Sequence, residues 1–206
     1  MITSELGDIP EGWEVSNLTS VANYKNGLAM QKFRPTGEES LPVLKIKELN
    51  QGFTDSNSDK CDIDIRDDVK VYDGDVIFSW SGTLLMKLWT GGKAGLNQHL
   101  FKVTSDKYYK WFYYLWTKYY LRSFIEIAKD KATTMGHIKR QHLEEAVVLV
   151  PNIELLENLN EVLSPIIDMI VKKGLEISNI ETMRDNLLPK LLSGEIEISD
   201  AEEIKQ

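Results

Sequence analysis

Residues 164–188, SPIIDMIVKKGLEISNIETMRDNLL, carry the clearest structural pattern in this chain of 206 residues. Apolar side chains recur there at alternating intervals of three and four residues, a repeat that is typical of a helix that pairs with another helix. Lys173 and Arg184 occupy two positions of the same repeat. The apolar positions that we expect to lie in the pairing surface are Leu163, Ile166, Ile170, Ile177, Ile180 and Leu187.

The same pattern predicts where the helices begin and end. Helical spacing starts at Asn152 and continues almost to the end of the chain. Ser164 is a favourable N-cap and Pro165 suits the first position of a helix, so we expect a short helix before them and a long one after them. The long helix, from Pro165 to about Leu188, would extend for roughly 36 Å at a rise of 1.5 Å per residue.

This coiled-coil-like repeat needs a partner. One small domain cannot cover the whole apolar stripe, and the chain has no second helical pattern of similar length. Self-association through the stripe is therefore the favoured interpretation. The alternative is a helix that lies wholly along its own domain.

Upstream of residue 150 the sequence indicates mainly strands. The runs 43–47 and 75–80 are rich in β-branched and aromatic residues and are bounded by turn sequences, and 147–150 is a further strand that ends at Pro151. Between them, 108–128 has helical spacing with an aromatic stripe that we expect to pack in the core, base stacking being the alternative; the stripe is Trp111, Phe112, Leu115, Trp116 and Tyr119. The sequence thus predicts an α+β fold, with a mixed, β-rich domain over 1–150 and a helical region over 151–206.

Charge is distributed unevenly along the chain. The overall net charge is −8, yet residues 87–140 contain 11 Lys and Arg against three acidic residues, which makes this third strongly basic. Both flanking regions are acidic. A basic segment next to aromatic and amide side chains favours a polyanionic partner, although a solvated basic face is the simpler explanation.

Several classes of protein are disfavoured. A single cysteine, Cys61, is incompatible with an internal disulfide framework, and the chain shows neither a signal peptide nor an apolar run long enough for a membrane span, so we expect a cytoplasmic protein. No phosphate-binding loop or glycine-rich nucleotide fingerprint is present, and the acidic cluster at residues 62–68 is interpreted as solvated surface. We expect no metal site and no catalytic activity in this chain.

Four segments, in order, carry a resemblance to a known family. They are 9–15 (IPEGWEV), 73–83 with 95–103 (DGDVIFSWSGT and GLNQHLFKV), 133–140 with 148–151 (TTMGHIKR and VLVP), and 187–196 (LLPKLLSGEI). The first three resemble the start, central strands and exit of a target recognition domain from specificity subunits of type I restriction–modification systems. The fourth resembles the end of the family's spacer helix.

This resemblance implies a function and a set of partners. It implies binding to double-stranded DNA, a modification subunit that uses S-adenosylmethionine, and a restriction subunit that uses ATP and Mg²⁺, with no cofactor in this chain. Members of the family usually carry two recognition domains and two helices packed antiparallel, whereas this chain has one of each. The resemblance therefore implies a half-length form that works as a homodimer, or paired with another half subunit, and reads one half of a bipartite target.

Candidate DNA-binding residues lie on three predicted loops, where cations and planar polar groups concentrate. In the third loop, Gly136 allows close approach, and free amides of a following short helix would suit a phosphate. The candidates are Gln31, Lys32 and Arg34; Trp80, Ser81, Thr83, Lys87 and Lys93; and Thr133, Thr134, Gly136, His137, Lys139 and Arg140. A different class of function, a protein-interaction adaptor with a dimerising helix and no role on DNA, is the alternative.

Overall fold

The computed structural model describes residues 7–130 and 136–196, together with the backbone of the first strand. The predicted α+β fold, a mixed β-rich domain followed by a long C-terminal helix, is confirmed within these ranges. The strands are β1 (Ile2–Ser4), β2 (Gly7–Ile9), β3 (Glu14–Asn17), β4 (Asn23–Asn26), β5 (Ser40–Leu44), β6 (Lys60–Asp62), β7 (Lys70–Val71), β8 (Val76–Ser79), β9 (Met86–Leu88), β10 (Ala94–Leu96), β11 (Leu100–Thr104) and β12 (Val147–Val150). The helices are α1 (Leu18–Val21), α2 (Ile46–Gln51), α3 (Lys110–Asp130), α4 (Arg140–Glu144) and α5 (Ile153–Leu192), with short 3₁₀ turns at Met30–Lys32 and Asp67–Val69.

Two four-stranded sheets form the body of the domain. The first has the order β6-β5-β10-β7 and is mixed, because β10 runs parallel to β5 and antiparallel to β7. The second has the order β4-β11-β8-β9 and is antiparallel throughout. Every residue of β8 is buried, which explains why its sequence is continuously apolar up to Ser79 instead of alternating.

The two ends of the domain meet in a separate strand pair. β12 pairs antiparallel with β3, so that Val147 lies opposite Asn17 and Val150 lies opposite Glu14. The strand predicted at 147–150 is therefore confirmed. Because α5 follows β12 directly, this pairing brings the beginning of the chain to the base of α5. The division predicted between residues 150 and 151 falls between these two elements and stays a prediction.

The strand predicted over 43–47 is displaced by three residues, because β5 begins at Ser40. β5 ends at Leu44, and α2 begins at Ile46. The carboxylate of Glu48 accepts a hydrogen bond from the backbone N–H of Lys45 (3.2 Å), and Gly52 ends the helix with a φ of 97°. A glutamate at the third helical position and a glycine just past the last turn are sequence signals for the start and end of a helix. The β-branched residues in the same segment favoured a strand instead.

The aromatic helix is α3, and its stripe is only partly core. Trp111 and Phe112 are buried in the main hydrophobic cluster, as expected. Leu115 and Tyr119 are exposed, Tyr119 by 73%, so the expectation that they pack in the core is wrong. The stripe leaves the core toward the end of α3, because there the helix contacts the sheet through a neighbouring face that carries Phe124.

The C-terminal helix is not divided at Ser164–Pro165. α5 is a single helix of 40 residues, or about 60 Å, capped by Asn152, whose side chain accepts a hydrogen bond from the Leu155 N–H (2.9 Å). Pro165 removes one backbone hydrogen bond, and it lies on the exposed side, where water can satisfy the freed carbonyl. Buried packing of Leu156 and Ile167 on either side keeps the helix continuous. Neither α5 nor any other helix in the described ranges is long and apolar enough to cross a membrane.

α5 lies along its own domain for most of its length. Near its start, the Trp111 indole N–H donates to Asn160 Oδ1 (3.1 Å). Further along, Gly174 passes so close to Thr90 that a Cβ on the glycine would stand 2.8 Å from Thr90 Cγ2. The side chain of Asp185 lines a pocket with Phe53. The helix therefore presents one face to its own domain over about eight turns.

Candidate nucleic-acid interface

A groove of about 710 Å³ runs across the end of the second sheet. β4 forms one wall, the residue after β8 forms the floor, and the loop before α4 forms the other wall. The functional side chains that line it are Asn23, Lys25, Asn26, Arg66, Trp80, His137, Lys139 and Arg140. We call it the polar groove. It brings together four of the predicted residues, Trp80, His137, Lys139 and Arg140.

Trp80 is the centre of the polar groove. Its indole N–H donates to Asn26 Oδ1 (3.0 Å), and its ring lies against Phe101 and His99, with centroid distances of 5.9 Å to each. The His137 ring meets it edge-on at 6.3 Å. The side chain is half-buried, so one part packs while the rest faces the groove. Trp80 therefore both packs against the domain and presents a surface to the groove.

Backbone hydrogen bonds hold the predicted loop against Trp80. The N–H of Gly82 donates to the carbonyl of Gly136 (2.8 Å), and the N–H of Ile138 donates to the carbonyl of Trp80 (3.0 Å). A Cβ at Gly136 would stand 2.5 Å from the Ala128 carbonyl oxygen. The close approach that requires this glycine is therefore to the end of α3. Thr133 and Thr134 lie outside the described residues.

The two backbone N–H groups that directly precede α4 are already engaged within the protein. The N–H of Lys139 donates to His142 Nδ1 (3.0 Å), and that of Ile138 is bonded to Trp80. The side chains of Lys139 and Arg140 are exposed. These two side chains can attract an anion to the polar groove.

Four cations and two carboxylates set the charge of the polar groove. Lys25 Nζ lies 2.8 Å from Asp68 Oδ2, and Arg66 Nε lies 3.3 Å from the other oxygen of the same carboxylate. The hydrogen bond from Lys25 and the nearby Arg66 hold the pKa of Asp68 below its usual value. Arg140 Nε is 3.6 Å from Glu144 Oε1. The balance of these charges is positive and leaves the cations at the surface.

A second, smaller pocket of about 330 Å³ contains Gln31 and Arg34 from the first predicted loop, together with Lys45 and Lys60. Lys32 is exposed in the adjoining 3₁₀ turn. Asn97 lines the same pocket, and its Oδ1 accepts a hydrogen bond from the backbone N–H of His99 (3.2 Å).

The remaining predicted residues do not meet in one place. Ser81 is buried and bonded to His99 Nδ1 (2.9 Å), whereas Thr83 is exposed beside Gly136. Lys87 Nζ donates to the carbonyl of Asn50 (2.6 Å), and the Lys93 ammonium lies 5.9 Å from the ring centroid of Tyr72. These two lysines line neither pocket, so they are separated from the polar groove.

Sequence reasoning missed Asn23, Lys25 and Asn26 on β4 and Arg66 near the acidic cluster. On β4 the signal was present for Asn23 and Lys25: Tyr24 between them is buried, so both point outward with the two-residue period of a strand. Asn26 lies on the same face as Tyr24, at the exposed end of the strand. Arg66 gave no local signal, because only the fold brings it beside Lys25. These residues add two amides and two cations to the polar groove.

The acidic cluster is engaged within the protein. Asp62 accepts hydrogen bonds from the backbone N–H and hydroxyl of Thr36 (3.1 and 2.6 Å), and these bonds lower its pKa. Asp67 lies 2.9 Å from Lys70 Nζ. In the described ranges no three His, Cys, Asp or Glu side chains are arranged to hold a metal ion.

A second surface is the apolar stripe on α5, which we call the seam. Several of its members directly precede residues that face the domain, for example Ile166 before Ile167 and Ile170 before Val171, so the seam lies about 100° around the helix from the packed face. Ile170 is 48% and Ile180 is 64% exposed. The seam consists of Leu163, Ile166, Ile170, Lys173, Ile177, Ile180, Arg184, Leu187 and Leu191, of which Leu163 is partly covered by the domain.

Comparison with known proteins relates this architecture to one group. The type I restriction enzyme MjaIX specificity subunit of Methanocaldococcus jannaschii is 26% identical over 204 residues, an alignment that covers 94% of this chain and 46% of that protein. The S subunit of a type I restriction–modification system from M. genitalium has a TM-score of 0.55 at 15% identity, covering 88% of this chain and 46% of that one. A chain from a structure on complex assembly and conformational transition of the type I R–M system has a TM-score of 0.50 at 18% identity, with coverages of 89% and 46%.

The two structural matches, at these identities, show the fold alone, and the chain spans about half the length of each protein it matches. The family described as type I restriction modification DNA specificity domain matches residues 10–178, which include both sheets, the polar groove and the first two-thirds of α5. The chain therefore belongs to the family of type I restriction modification DNA specificity domains.

Proposed function

We propose that this chain is a half-length DNA specificity subunit, which binds one half of a bipartite duplex target through the polar groove. The observation that carries this proposal is the convergence of four cations and two exposed asparagines around Trp80, in a chain of this family. Its partners are double-stranded DNA, a modification subunit and a restriction subunit. The partner subunits use S-adenosylmethionine, ATP and Mg²⁺, and the complex works in the cytoplasm. This chain contributes recognition without catalysis.

The groove contains both kinds of contact that sequence-specific binding needs. Lys139 and Arg140 can neutralise phosphates and so set the position of the duplex. Asn23 and Asn26 carry planar amides, which pair with the edge of adenine through two hydrogen bonds. Because Asn26 Oδ1 already accepts from Trp80, the orientation of this amide is fixed before DNA arrives. The acidic remainder of the chain repels DNA and restricts binding to this region.

We further propose that two chains pair through the seam, either as a homodimer or with another half subunit. Burial of its isoleucines and leucines supplies the driving force. A symmetric pair carries two polar grooves, so a homodimer reads a target whose halves are inverted repeats.

Charge reversal tests the polar groove. Lys139→Glu with Arg140→Glu should weaken binding to a short duplex at least tenfold and make binding less sensitive to salt, because phosphate contacts are lost. The matched control is Lys87→Glu with Lys93→Glu, which changes the net charge equally but away from the groove. Circular dichroism verifies that each variant folds, and fluorescence anisotropy across a salt series measures affinity.

Two results contradict the proposal. An equal loss of affinity in both double variants would mean that total charge, and not the groove, determines binding. If the unmodified protein binds no duplex at low salt, the adaptor alternative is favoured.

A further inference from the structure

The smaller pocket, of about 330 Å³, contains a buried amide that the fold leaves without an acceptor. Asn97 is only 7% exposed, whereas the charged side chains around it lie nearer the surface. We call this site the asparagine pocket. The polar and charged side chains that line it are Gln31, Arg34, Lys45, Asp59, Lys60 and Asn97.

The backbone fixes the orientation of the Asn97 amide. Asn97 Oδ1 accepts a hydrogen bond from the N–H of His99 (3.2 Å), and only the oxygen of the amide can accept from an N–H. Among the residues that the structure describes, Asn97 Nδ2 forms no hydrogen bond. Every fully enclosed side-chain nitrogen or oxygen in these residues has a partner, so this donor must face the open space of the pocket. A buried donor of this kind indicates a ligand that accepts hydrogen bonds.

The charges around this donor favour an anion. Arg34 and Lys60 form no ion pair with any described residue, whereas the Lys45 ammonium is bonded to the carboxylate of Asp59. Three cations therefore face one carboxylate, which leaves two positive charges to be neutralised. No aromatic ring lines the pocket within the described ranges, so a base would have no ring to stack on. Phosphate oxygens suit this combination of cations and an amide donor.

The asparagine pocket lies next to the polar groove. Leu28 lines the polar groove and forms a β-bridge with Asn97, while Met30, two residues later, lines the asparagine pocket. Two residues of chain span at most about 7 Å. On the other side, Lys60 in β6 lines the pocket, and Arg66 in the loop that follows lines the groove. The same two stretches of chain therefore border both sites.

We propose that the asparagine pocket holds one phosphate of the duplex that the polar groove binds. Asn97 donates to a phosphate oxygen, and Arg34 and Lys60 neutralise the phosphate charge. This contact sets the position of one strand beside the groove and reads no base. The inference rests on the proposed function and adds a buried donor and two cations to its DNA interface.

Asn97→Asp tests the buried donor. Aspartate keeps an acceptor for the His99 N–H, removes the N–H₂ group and places a negative charge against the phosphate. We expect binding to a short duplex, measured by fluorescence anisotropy, to weaken at least tenfold. The control is Asn179→Asp, the same change at an exposed position of α5, which should alter affinity less than twofold. Circular dichroism verifies that both variants fold.

Arg34→Gln with Lys60→Gln tests the same site without changing a buried residue. The logarithm of the affinity should then fall less steeply with the logarithm of the salt concentration, by about one in the slope, because a phosphate contact is lost. Lys87→Gln with Lys93→Gln removes as many cations away from both sites and should leave the slope unchanged.

The outcomes separate this inference from the proposed function. If Asn97→Asp and Arg34→Gln with Lys60→Gln bind DNA as their controls do, while Lys139→Glu with Arg140→Glu loses binding, the asparagine pocket is overturned and the polar groove stands. If the unmodified protein binds no duplex, both are overturned.

Inorganic phosphate distinguishes a phosphate of DNA from a free one. We expect the protein to broaden the phosphorus NMR resonance of inorganic phosphate, and we expect both a saturating duplex and Asn97→Asp to abolish this broadening. Broadening that persists at saturating duplex and disappears only in Asn97→Asp would mean that the pocket serves a free anion, and our inference would be wrong.

Discussion

Gly95 in β10 lies against the side chains of Cys61 in β6 and Ile65 in the loop that follows β6. A Cβ at this position would stand 2.5 Å from Cys61 Sγ, 3.1 Å from Ile65 Cδ1 and 3.3 Å from Met30 Cε. The surrounding side chains are buried, so they have little room to move. Burial, and to a lesser extent Asp62, also raises the pKa of the Cys61 thiol, which is consistent with a packing role.

We expect Gly95→Ala to lower the free energy of unfolding by about 1–3 kcal/mol, because the added methyl group overpacks the core. Cys61→Ala should recover part of this loss when the two changes are combined, since it removes the nearest atom. Urea denaturation at one protein concentration measures both effects. Gly37→Ala, in open space, is the control and should change stability by less than about 0.5 kcal/mol. Additive effects of Gly95→Ala and Cys61→Ala would refute this account.

Among the elements, α5 carries two different surfaces on adjacent faces. One face contacts its own domain through small or polar residues in the distal half, such as Gly174 and Ser178. The adjacent face is the seam, whose larger apolar residues are exposed. Small residues allow the helix to lie close to the domain, which leaves the larger side chains available for a second helix.

Gly174→Ala tests the close approach to Thr90. Alanine favours a helix by about 1 kcal/mol over glycine, yet its Cβ would overlap Thr90 Cγ2 and Oγ1, at 2.8 and 2.9 Å. We expect a net loss of about 1 kcal/mol in the wild-type background, and a neutral or stabilising effect when Thr90→Ala is also present. The coupling in this double-mutant cycle, from urea denaturation, should be at least about 1 kcal/mol. No measurable coupling would mean that α5 does not press on Thr90.

At the scale of the whole molecule, the unbroken α5 changes the expected spacing of two recognition domains. A helix that began at Pro165 would be about as long as one turn of B-DNA, whereas the observed helix is about 60 Å long. The length of α5 therefore does not by itself match one turn of B-DNA. In the proposed pair, the separation of the two polar grooves depends instead on how the two α5 helices align along the seam.

Ile170→Glu should prevent pairing through the seam. A carboxylate in an apolar layer between two helices costs about 3 kcal/mol or more, which corresponds to a dissociation constant raised at least about a hundredfold. Sedimentation velocity across a concentration series measures the change. Asn179→Glu places the same charge on α5 away from the seam and should leave the dimer intact. A stable Ile170→Glu dimer would locate the interface elsewhere.

Local sequence patterns were enough to predict a β-rich domain, α3, β12, the helical C-terminus and the apolar seam, because period and turn chemistry are properties of neighbouring residues. The predicted division of the C-terminal helix at Pro165 was wrong, because packing on both sides of the proline outweighed one missing hydrogen bond. Only the tertiary structure decided that Lys25, Arg66, Trp80 and Lys139 share one groove and that Lys87 and Lys93 do not. These residues are far apart in the chain, and their neighbourhood depends on how the sheets, α3 and the loop before α4 pack together, which no local periodicity encodes.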